Sequence, residues 1–389
     1  MLRQLGSDTP IVLIGEERLL PYQRPPLSKQ WLSGEANEES LVLRSSHFYA
    51  EANIATRLGQ SVTGIDRAVR TVTVSDGSTV AYSALIIATG ARARRLTTLP
   101  GIDLAGVLEL RTADDAEHLK AALHPGARLA VIGGGYIGLE AAASARTLGA
   151  DVTIIEREAR VLARVACPLL SDFFETFHRE RGSTIEVDAQ VVGLEGQNGR
   201  VSGVRLADGR VIPCTAALIG VGAMPNEELA KAAGLACDNG IVVDLAARTS
   251  DPSIYAIGDC TRRPLPLYDR MWRLESVPNA LEQAKQAASA ICGKPAPVPE
   301  VPWFWSDQYD LRLQIAGMPF EATEIAVRGN VAEGKFALFH LTANGTVQAV
   351  EAVNMPTEFM GGRRIIQKRK RLARAQIEDM AVSMQQLAA

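Results

Sequence analysis

The clearest hydrophobic pattern is an apolar run, an alanine-rich stretch and a second apolar run near the middle of the sequence. Leu129–Ile132 has the length and composition of a buried strand, and Leu139–Leu148 favours a helix. Gly149 ends that helix, and the β-branched run Val152–Ile155 predicts a second buried strand. This order of strand, helix and strand predicts a βαβ unit with parallel strands.

Three glycines join the first strand of this unit to its helix. Gly133, Gly135 and Gly138 have the spacing G-x-G-x-x-G, and Glu156 follows the second strand about twenty residues further on. The glycines allow a tight turn, backbone approach to a pyrophosphate, and close packing of helix on strand. A carboxylate at Glu156 can accept hydrogen bonds from an adenosine ribose. The unit therefore predicts a dinucleotide site; the alternative is a structural glycine turn in another α/β unit.

The same order of elements occurs earlier in the chain. Pro10–Gly15 predicts a strand that ends at the acidic residue Glu16. Each half then has a small β-meander and a buried strand ending in glycine, Ala84–Gly90 in the first half and Ala217–Gly222 in the second. The meander strands are predicted at Val62–Ile65, Thr71–Val74 and Thr79–Tyr82, and at Val191–Leu194, Val201–Leu206 and Val211–Pro213. An internal duplication of this kind predicts two dinucleotide sites.

The first copy of the βαβ unit lacks its opening. Residues 1–8 resemble the end of a helix stopped by Gly6, and no strand or glycine turn precedes them. We therefore expect a sequence truncated at the N-terminus, with a start assigned too far downstream or, less simply, a degenerate gene product. Because the missing amides would hold the pyrophosphate of the first dinucleotide, we also expect weak binding of that cofactor or poor solubility, beside an intact second site.

The last part of the chain has a different pattern. Four prolines between residues 295 and 302 mark a linker, strand-like alternation follows from Trp303, and a charged helix begins at about Glu358. The predicted fold class is α/β, with two Rossmann-like dinucleotide-binding domains and a C-terminal α+β domain. The predicted limits are 1–110 and 236–302 for the two parts of the first dinucleotide-binding domain, 111–235 for the second, and 303–389 for the C-terminal domain.

Composition narrows the class of protein. The formal net charge of −3 argues against bulk nucleic-acid binding, and no apolar run has the length of a membrane span. The start of the chain does not resemble a signal peptide. The five cysteines are far apart and form no C-x-x-C, so we expect no redox disulfide, iron–sulfur cluster or other metal site, and a reducing cytoplasm as compartment.

Several motifs together resemble a known family. They are Arg24–Lys29 (RPPLSK), Ala88–Gly90, Arg111–Thr112, Gly133–Glu140, Gly220–Asn226, Tyr255–Asp259, Glu275–Ala280 and Trp303–Gln308 (WFWSDQ). In this order they resemble the FAD-dependent pyridine nucleotide-disulfide oxidoreductases, and most of all the ferredoxin reductase branch that serves Rieske dioxygenases and bacterial cytochromes P450. The first and last motifs are specific to this branch.

The resemblance implies FAD in the first dinucleotide-binding domain, NAD in the second, and a set of residues that bind them. Lys29 and Glu140 would form a catalytic pair beside the flavin, and the N-terminus of the helix that opens at Val277 would face the flavin ring. The remaining residues expected to bind FAD or NAD are Glu16, Arg24, Pro25, Val62, Thr89, Gly90, Arg111, Gly133, Gly135, Ile137, Gly138, Glu156, Gly222, Gly258, Asp259 and Trp303.

Each of these assignments has a simpler structural alternative. Asp259 could cap a helix, Arg111 could form a salt bridge near a helix start, and Glu140 could be an exposed helix residue. Lys29 and Arg24 could be solvated surface charges. Trp303 could be a core residue, and the basic run 368–371 a solvated helix face instead of a contact for an acidic ferredoxin.

The resemblance implies an enzyme that passes electrons from NADH through FAD to a [2Fe–2S] ferredoxin, which feeds an oxygenase. Glu156 favours NADH because a carboxylate repels a 2′-phosphate, although Arg157 and Arg160 could weaken this preference. The alternatives are an NADH oxidase or other flavin reductase, and a flavin-deficient NADH-binding remnant or regulator.

Overall fold

The computed structural model describes residues 1–389, and its first part consists of short, separate pieces of sheet. The elements are β1 (Ile11–Gly15), α1 (Glu38–Leu41), α2 (Ser46–Glu51), β2 (Ile54–Leu58), β3 (Val62–Asp66), β4 (Thr71–Val74), β5 (Thr79–Ala81), β6 (Leu85–Ile87) and β7 (Ala91–Ala93). β1 pairs in parallel with β2, and β3, β4 and β5 form the predicted meander. Single turns of 3-10 helix lie at Arg3–Leu5 and Pro25–Ser28.

The middle of the chain folds around a five-stranded parallel sheet. Its elements are β8 (Val107–Leu108), α3 (Ala113–Ala122), β9 (Arg128–Ile132), α4 (Tyr136–Thr147), β10 (Asp151–Ile155), α5 (Pro168–Glu180), β11 (Thr184–Glu186), β12 (Val191–Gln197), β13 (Arg200–Leu206), β14 (Val211–Pro213), β15 (Ala216–Ile219), β16 (Ala223–Pro225) and α6 (Glu228–Ala232). The strand order β11-β10-β9-β15-β8 puts the predicted βαβ unit at the centre. Strands β12, β13 and β14 form the second predicted meander.

The chain then returns to the first part. The elements are β17 (Ile241–Val242), β18 (Ile254–Ala256), β19 (Thr261–Leu265), β20 (Arg270–Trp272) and α7 (Val277–Ile291), with a 3-10 turn at Gly258–Cys260. β18 pairs in parallel with β6, from Ile254 opposite Leu85 to Ala256 opposite Ile87. The pairs β1-β2 and β6-β18 remain two separate sheets, whereas β9 joins β10 to β15 in the middle sheet.

The C-terminal part is an antiparallel sheet covered by helices. Its elements are β21 (Trp303–Gln308), β22 (Leu311–Gly317), β23 (Glu324–Asn330), β24 (Lys335–Leu341), β25 (Val347–Val353), α8 (Pro356–Gln367), α9 (Arg374–Glu378) and α10 (Met384–Ala388). The strand order is β21-β22-β25-β24-β23. The predicted α+β character of this part is therefore confirmed.

The two faces of this last sheet bury different neighbours. Leu338 and Val353 pack into the apolar core of the middle domain, together with Leu139 and Phe174. The opposite face packs on helices α8, α9 and α10. The middle and C-terminal domains thus share one continuous core, and burying each large apolar side chain stabilises this contact by about 1.5–3 kcal/mol.

The predicted domain limits at residues 110 and 235 lie a few residues from the points where the chain passes between the first part and the middle part. β8 belongs to the middle sheet, and Ala230 of α6 packs with Ile87 and Ile254 of the first part. The four domain limits stay predictions. No helix in the structure is both long enough and apolar enough to span a bilayer.

Candidate active site

The glycine turn after β9 has the shape that the motif predicts. Gly133 has φ +109°, and a Cβ atom there would collide with the carbonyl of Gly220. A Cβ on Gly138 would likewise collide with the carbonyl of Gly133, so this glycine brings α4 close to the turn. Gly135 caps α4 and has open space around it. The α4 amides therefore face free volume of the kind a pyrophosphate needs, and Ile137 lies exposed in the first turn of the helix.

Glu156 is fixed against this turn by two backbone amides. Its Oε2 accepts a hydrogen bond of 2.7 Å from the N–H of Gly134, and its Oε1 accepts one of 2.9 Å from the N–H of Glu158. The carboxylate therefore lies beside the glycine turn at the carboxyl end of β10, where a ribose bound on the turn would meet it.

The two arginines that could oppose Glu156 are engaged elsewhere. Arg157 pairs with Glu158 at 2.7 Å. Arg160 donates to the carbonyls of Ala163 and Ala166, and to the hydroxyl of Ser171 at 2.5 Å. In this arrangement neither guanidinium is held ready for a 2′-phosphate.

A buried ion pair joins the first loop to helix α4. Lys29 Nζ lies 2.7 Å from Glu140 Oε2, and their side chains are only 11% and 2% exposed. Ser28 donates a hydrogen bond of 2.5 Å to the same oxygen, and Ser144 of α4 donates one of 2.7 Å to the carbonyl of Ser28. Prolines fix the backbone of this loop, because Pro25 is the first residue of its 3-10 turn. The carbonyl oxygen of Pro25 lies 3.4 Å from Lys29 Nζ.

The C-terminal domain holds the other oxygen of this carboxylate. Ser306 of β21 donates a hydrogen bond of 2.6 Å to Glu140 Oε1. Gln308 Nε2 donates to Ser306 Oγ at 3.1 Å, and His178 Nε2 lies 2.8 Å from Gln308 Oε1. The amide oxygen can only accept, so His178 carries its proton on Nε2. These hydrogen bonds form a series in which each residue donates to the next, from His178 to Glu140.

His178, the first residue of this hydrogen-bond series, is uncharged. It is fully buried in α5, and its Nδ1 has no hydrogen-bond partner. Burial, with a smaller contribution from Arg181, lowers the pKa of His178 from 6.5 to about 4, against the opposing effect of its hydrogen bond with Gln308.

A second ion pair crosses the boundary between the first and middle parts. Arg111 Nη2 lies 2.7 Å from Asp259 Oδ2, and Arg24 donates a hydrogen bond of 2.7 Å to the carbonyl of Arg111. A Cβ on Gly90 would lie 3.6 Å from Arg111, so these residues meet at the ends of β6 and β18. The buried Nε of Arg111 has no partner within the chain.

The N-terminus of α7 lies next to the turn that carries Asp259. Ser276 caps α7, whose first residue, Val277, is 40% exposed, so the positive end of the helix is accessible. Gln283 of α7 accepts hydrogen bonds from the N–H of Gly258 at 2.8 Å and from the hydroxyl of Thr261 at 3.0 Å. A buried ion pair, in which Arg263 Nη2 of β19 lies 2.9 Å from Glu282 Oε1 of α7, also holds the helix in place. Helix and turn are therefore held in a fixed orientation.

Hydrogen bonds also join the first and middle parts of the chain at the ends of strands. Thr89 Oγ1 donates to the carbonyl of Asn226 at 2.6 Å, and the side chain of Asn226 donates to the carbonyl of Thr89 at 2.8 Å. Gly222, with φ +108°, follows β15 and has open space around it. These residues line the boundary between the two predicted dinucleotide sites.

Three predicted site residues lie apart from these contacts. Glu16 is exposed at the end of β1, and Val62 is half-buried at the start of β3. Trp303 packs against Trp305, Phe359 and Arg363, on the side of β21 opposite to Ser306. In the basic run, Lys368 and Lys370 donate to backbone carbonyls of α10, which agrees with a structural role for these two lysines.

The structure adds site residues that the sequence did not reveal. Ser306, Gln308, Ser28 and His178 complete the environment of Glu140. The alternation of WFWSDQ contained a signal, because two polar residues two positions apart on a strand share one face, and a buried polar face requires partners.

The arrangement around Asp259 has several features that suit FAD. A carboxylate at a strand end, an unpartnered buried guanidinium nitrogen, open glycine turns and an accessible helix N-terminus match the hydroxyls, phosphates and electron-rich ring edge of FAD. The residues around Asp259 therefore fit this cofactor, and the weak FAD binding expected from the sequence stays a prediction.

Two family models match nearly all of the chain. The model described as pyridine nucleotide-disulphide oxidoreductase matches residues 1–284, and the model described as reductase C-terminal matches residues 303–388. The chain is 52% identical over 388 residues to the probable ferredoxin reductase CtmF of Castellaniella defragrans, covering 100% of this chain and 94% of that protein. It is 43% identical over 392 residues to putidaredoxin reductase CamA of Pseudomonas putida, covering 100% and 93%.

Solved structures agree with these relatives. A crystal structure of the covalent putidaredoxin reductase–putidaredoxin complex matches with a TM-score of 0.96 at 42% identity, covering 99% of this chain and 93% of that chain. The predicted fold class is thereby confirmed. The chain belongs to the pyridine nucleotide-disulphide oxidoreductase family, and within it to the ferredoxin reductase branch.

Proposed function

We propose that this protein is an NADH-dependent ferredoxin reductase that uses FAD and supplies electrons to an oxygenase. The observation that carries the proposal is the buried Lys29–Glu140 pair, which ties the loop of the FAD part to the helix that follows the NAD-binding glycine turn. In this proposal the two dinucleotide sites lie on either side of a single charged pair. Reductases and reductase components of oxygenase systems among its relatives support the same reading.

NADH is the electron donor that this site favours. Glu156 is held at the glycine turn by two amides, and Arg157 and Arg160 are bonded to other groups. A 2′-phosphate placed there would meet a fixed negative charge.

The residues around Asp259 would hold the FAD. Asp259 would accept hydrogen bonds from hydroxyls of the ribityl chain, Arg111 and Arg24 would face phosphate, and the start of α7 would favour negative charge at the ring. When bound, FAD accepts two electrons with a hydride and can release them one at a time, which a nicotinamide cannot do.

The protein itself contributes position and electrostatics. The ion pair of Lys29 with Glu140 fixes the loop against α4, so both cofactor-binding segments keep one relative placement. Ser28 and Ser306 hold the two oxygens of Glu140 and keep its carboxylate in a single orientation. This chemistry needs no acid–base residue.

A [2Fe–2S] ferredoxin is the electron acceptor in this proposal. The structure named for the putidaredoxin reductase–putidaredoxin complex contains such a pair of proteins, and it superimposes on this chain almost completely. The five cysteines are all free, so the chain has no disulfide that could serve as acceptor in its place. Free cysteines also favour the reducing cytoplasm as compartment.

A visible spectrum of the purified protein tests the proposal. With FAD added at saturating concentration, we expect a flavin absorption band that bleaches within the mixing time on anaerobic addition of NADH, and far more slowly with NADPH. A protein that binds NADH without any bleaching of this band would support the flavin-deficient remnant instead.

A further inference from the structure

A buried group of three potential metal ligands lies outside the site described above. The Sγ of Cys167, the Nε2 of His340 and a carboxylate oxygen of Glu351 all lie within 4.8 Å of one another. Glu351 Oε2 is 2.9 Å from His340 Nε2 and 3.5 Å from Cys167 Sγ. His340 and Glu351 are each less than 5% exposed. These three side-chain types are those that bind zinc in proteins.

The three side chains come from two domains. His340 of β24 and Glu351 of β25 lie on the face of the C-terminal sheet that packs on the middle domain, because Leu338 and Val353, on the same face, belong to the shared core. Cys167 is the N-cap of α5 in the middle domain. Burial and the neighbouring Glu351 carboxylate raise the pKa of the Cys167 thiol to about 12, so the thiol keeps its proton in the metal-free protein.

We propose that Cys167, His340 and Glu351 form a binding site for one divalent transition-metal ion, with Zn²⁺ as the best match. A thiolate, an imidazole and a carboxylate make a three-ligand set that leaves one coordination position of a tetrahedral zinc ion for a further group. The three ligands are 173 and 11 residues apart along the chain, so no ligand spacing could reveal the site in the sequence.

The distances require only small movements. In a tetrahedral zinc site with bonds of about 2.0–2.3 Å, neighbouring ligand atoms lie roughly 3.3–3.8 Å apart. The separations of the ligand atoms in this structure bracket that range. Side-chain rotations that shift these atoms by about 1 Å would therefore suffice. Zinc would replace the protons that Glu351 now shares with Cys167 and His340, and these protons would pass to the solvent.

A fourth polar group points to the same place. The hydroxyl oxygen of Tyr136, at the start of α4, is inaccessible to solvent and has no hydrogen-bond partner. Its ring packs edge-on against Phe304 at 5.2 Å, and Glu351 and Cys167 lie within electrostatic range of the hydroxyl. An unpartnered buried hydroxyl is costly, and a metal-bound water or the metal itself would satisfy it.

Metal binding at this site would have a structural consequence. Because the ligands come from both domains, a bound ion would clamp the C-terminal sheet to the NAD-binding domain. An ion that binds only the folded chain raises the thermal stability of that chain.

Titration of the chelator-treated, full-length protein with Co²⁺ alone tests the proposal. We expect one Co²⁺ per chain, a thiolate-to-cobalt charge-transfer band in the difference spectrum, loss of that band on addition of Zn²⁺, and a higher midpoint of thermal unfolding with Zn²⁺. Cys167→Ser should abolish the band and weaken binding by more than about 100-fold.

The matched control is Cys214→Ser, a buried cysteine in another core with no potential ligand beside it. This variant should retain the band and the full rise in the unfolding midpoint. If Cys167→Ser fails to fold, Glu351→Gln takes its place and should weaken binding with the thiolate intact. Absence of the band in the parent protein, or equal binding by the Cys167 and Cys214 variants, would overturn the proposal.

Discussion

Ser306 donates a hydrogen bond of 2.6 Å to Glu140, although the two residues lie 166 positions apart and in different domains. The C-terminal domain therefore completes the environment of a carboxylate in helix α4. This contact, together with Ser28 and Lys29 on the other oxygen, gives every oxygen of a buried carboxylate a partner. A buried charge without such partners would be strongly destabilising.

Removal of this hydroxyl should lower stability. Ser306→Ala leaves one oxygen of Glu140 and the side chain of Gln308 short of a partner, and we expect the free energy of unfolding to fall by about 1–3 kcal/mol. Denaturant unfolding measures the change. Ser306→Thr, which keeps the hydroxyl, should lose less, and the half-exposed Ser33→Ala should change little. Equal stability of the Ala and Thr variants would contradict the assigned role.

Reversal of the charge at Glu156 should weaken the preference for NADH over NADPH. Glu156→Arg replaces a fixed negative charge with a cation at the place where a 2′-phosphate would lie, so the ratio of kcat/KM for NADH over NADPH should fall at least tenfold, or about 1.4 kcal/mol. Steady-state reduction of ferricyanide measures this ratio. Glu175→Arg, the same change of charge on α5, is the control and should leave the ratio unaltered. A parent protein that prefers NADPH would contradict the assignment.

Loss of the carboxylate at Asp259 should weaken FAD binding. Asp259→Asn keeps the shape of the side chain but removes the partner of Arg111 and a charged acceptor for the cofactor, so we expect the Kd for FAD to rise about ten- to hundredfold. Fluorescence of released FAD during dilution measures the Kd. Asp251→Asn breaks a comparable 2.8 Å ion pair with Arg67 and serves as the control. If both variants release FAD to the same degree, Asp259 has no special role.

His178 should make stability depend on pH. Its pKa is about 4 in the folded protein and 6.5 as the ordinary value, so the unfolded chain binds one more proton between these limits. The stability that neutral His178 contributes is therefore present above pH 6.5 and is lost as the pH falls towards 4, at about 1.4 kcal/mol per pH unit.

Unfolding measured across this pH window checks the effect of His178. His178→Gln, which can still donate to Gln308, should flatten the dependence, whereas the exposed His118→Gln should not. The same slope in the parent protein and the His178 variant would show that other groups cause the dependence.

Local features of the site could be predicted from the sequence, whereas its long-range contacts could not. The turn at Gly133 and the position of Glu156 follow from spacing within one βαβ unit, because a strand, a glycine turn and a helix fix each other over a few residues. Glu140 lies in the same helix, but its partners Lys29 and Ser306 come from distant segments that only the packed core brings together.

The hairpin of β19 and β20 shows the same limit. Its residues Thr261–Trp272 are rich in arginine and proline, so no apolar alternation marks the strands. Arg263 is nevertheless buried, because Glu282 and Asn279 of α7 bind its guanidinium. A buried charge pair of this kind is visible only when both elements are in place.

The most direct test of the account is the rate at which the NADH-reduced, FAD-loaded protein passes electrons to a [2Fe–2S] ferredoxin, compared with its rate of reaction with oxygen. Rapid mixing under anaerobic and aerobic conditions gives both rates from the same preparation. We predict that at least one ferredoxin of an oxygenase system is reduced faster than oxygen, and that Glu156→Arg slows the preceding reduction of the protein by NADH but leaves this rate unchanged. Faster reaction with oxygen than with every ferredoxin of a panel would contradict the account and identify the protein as an NADH oxidase.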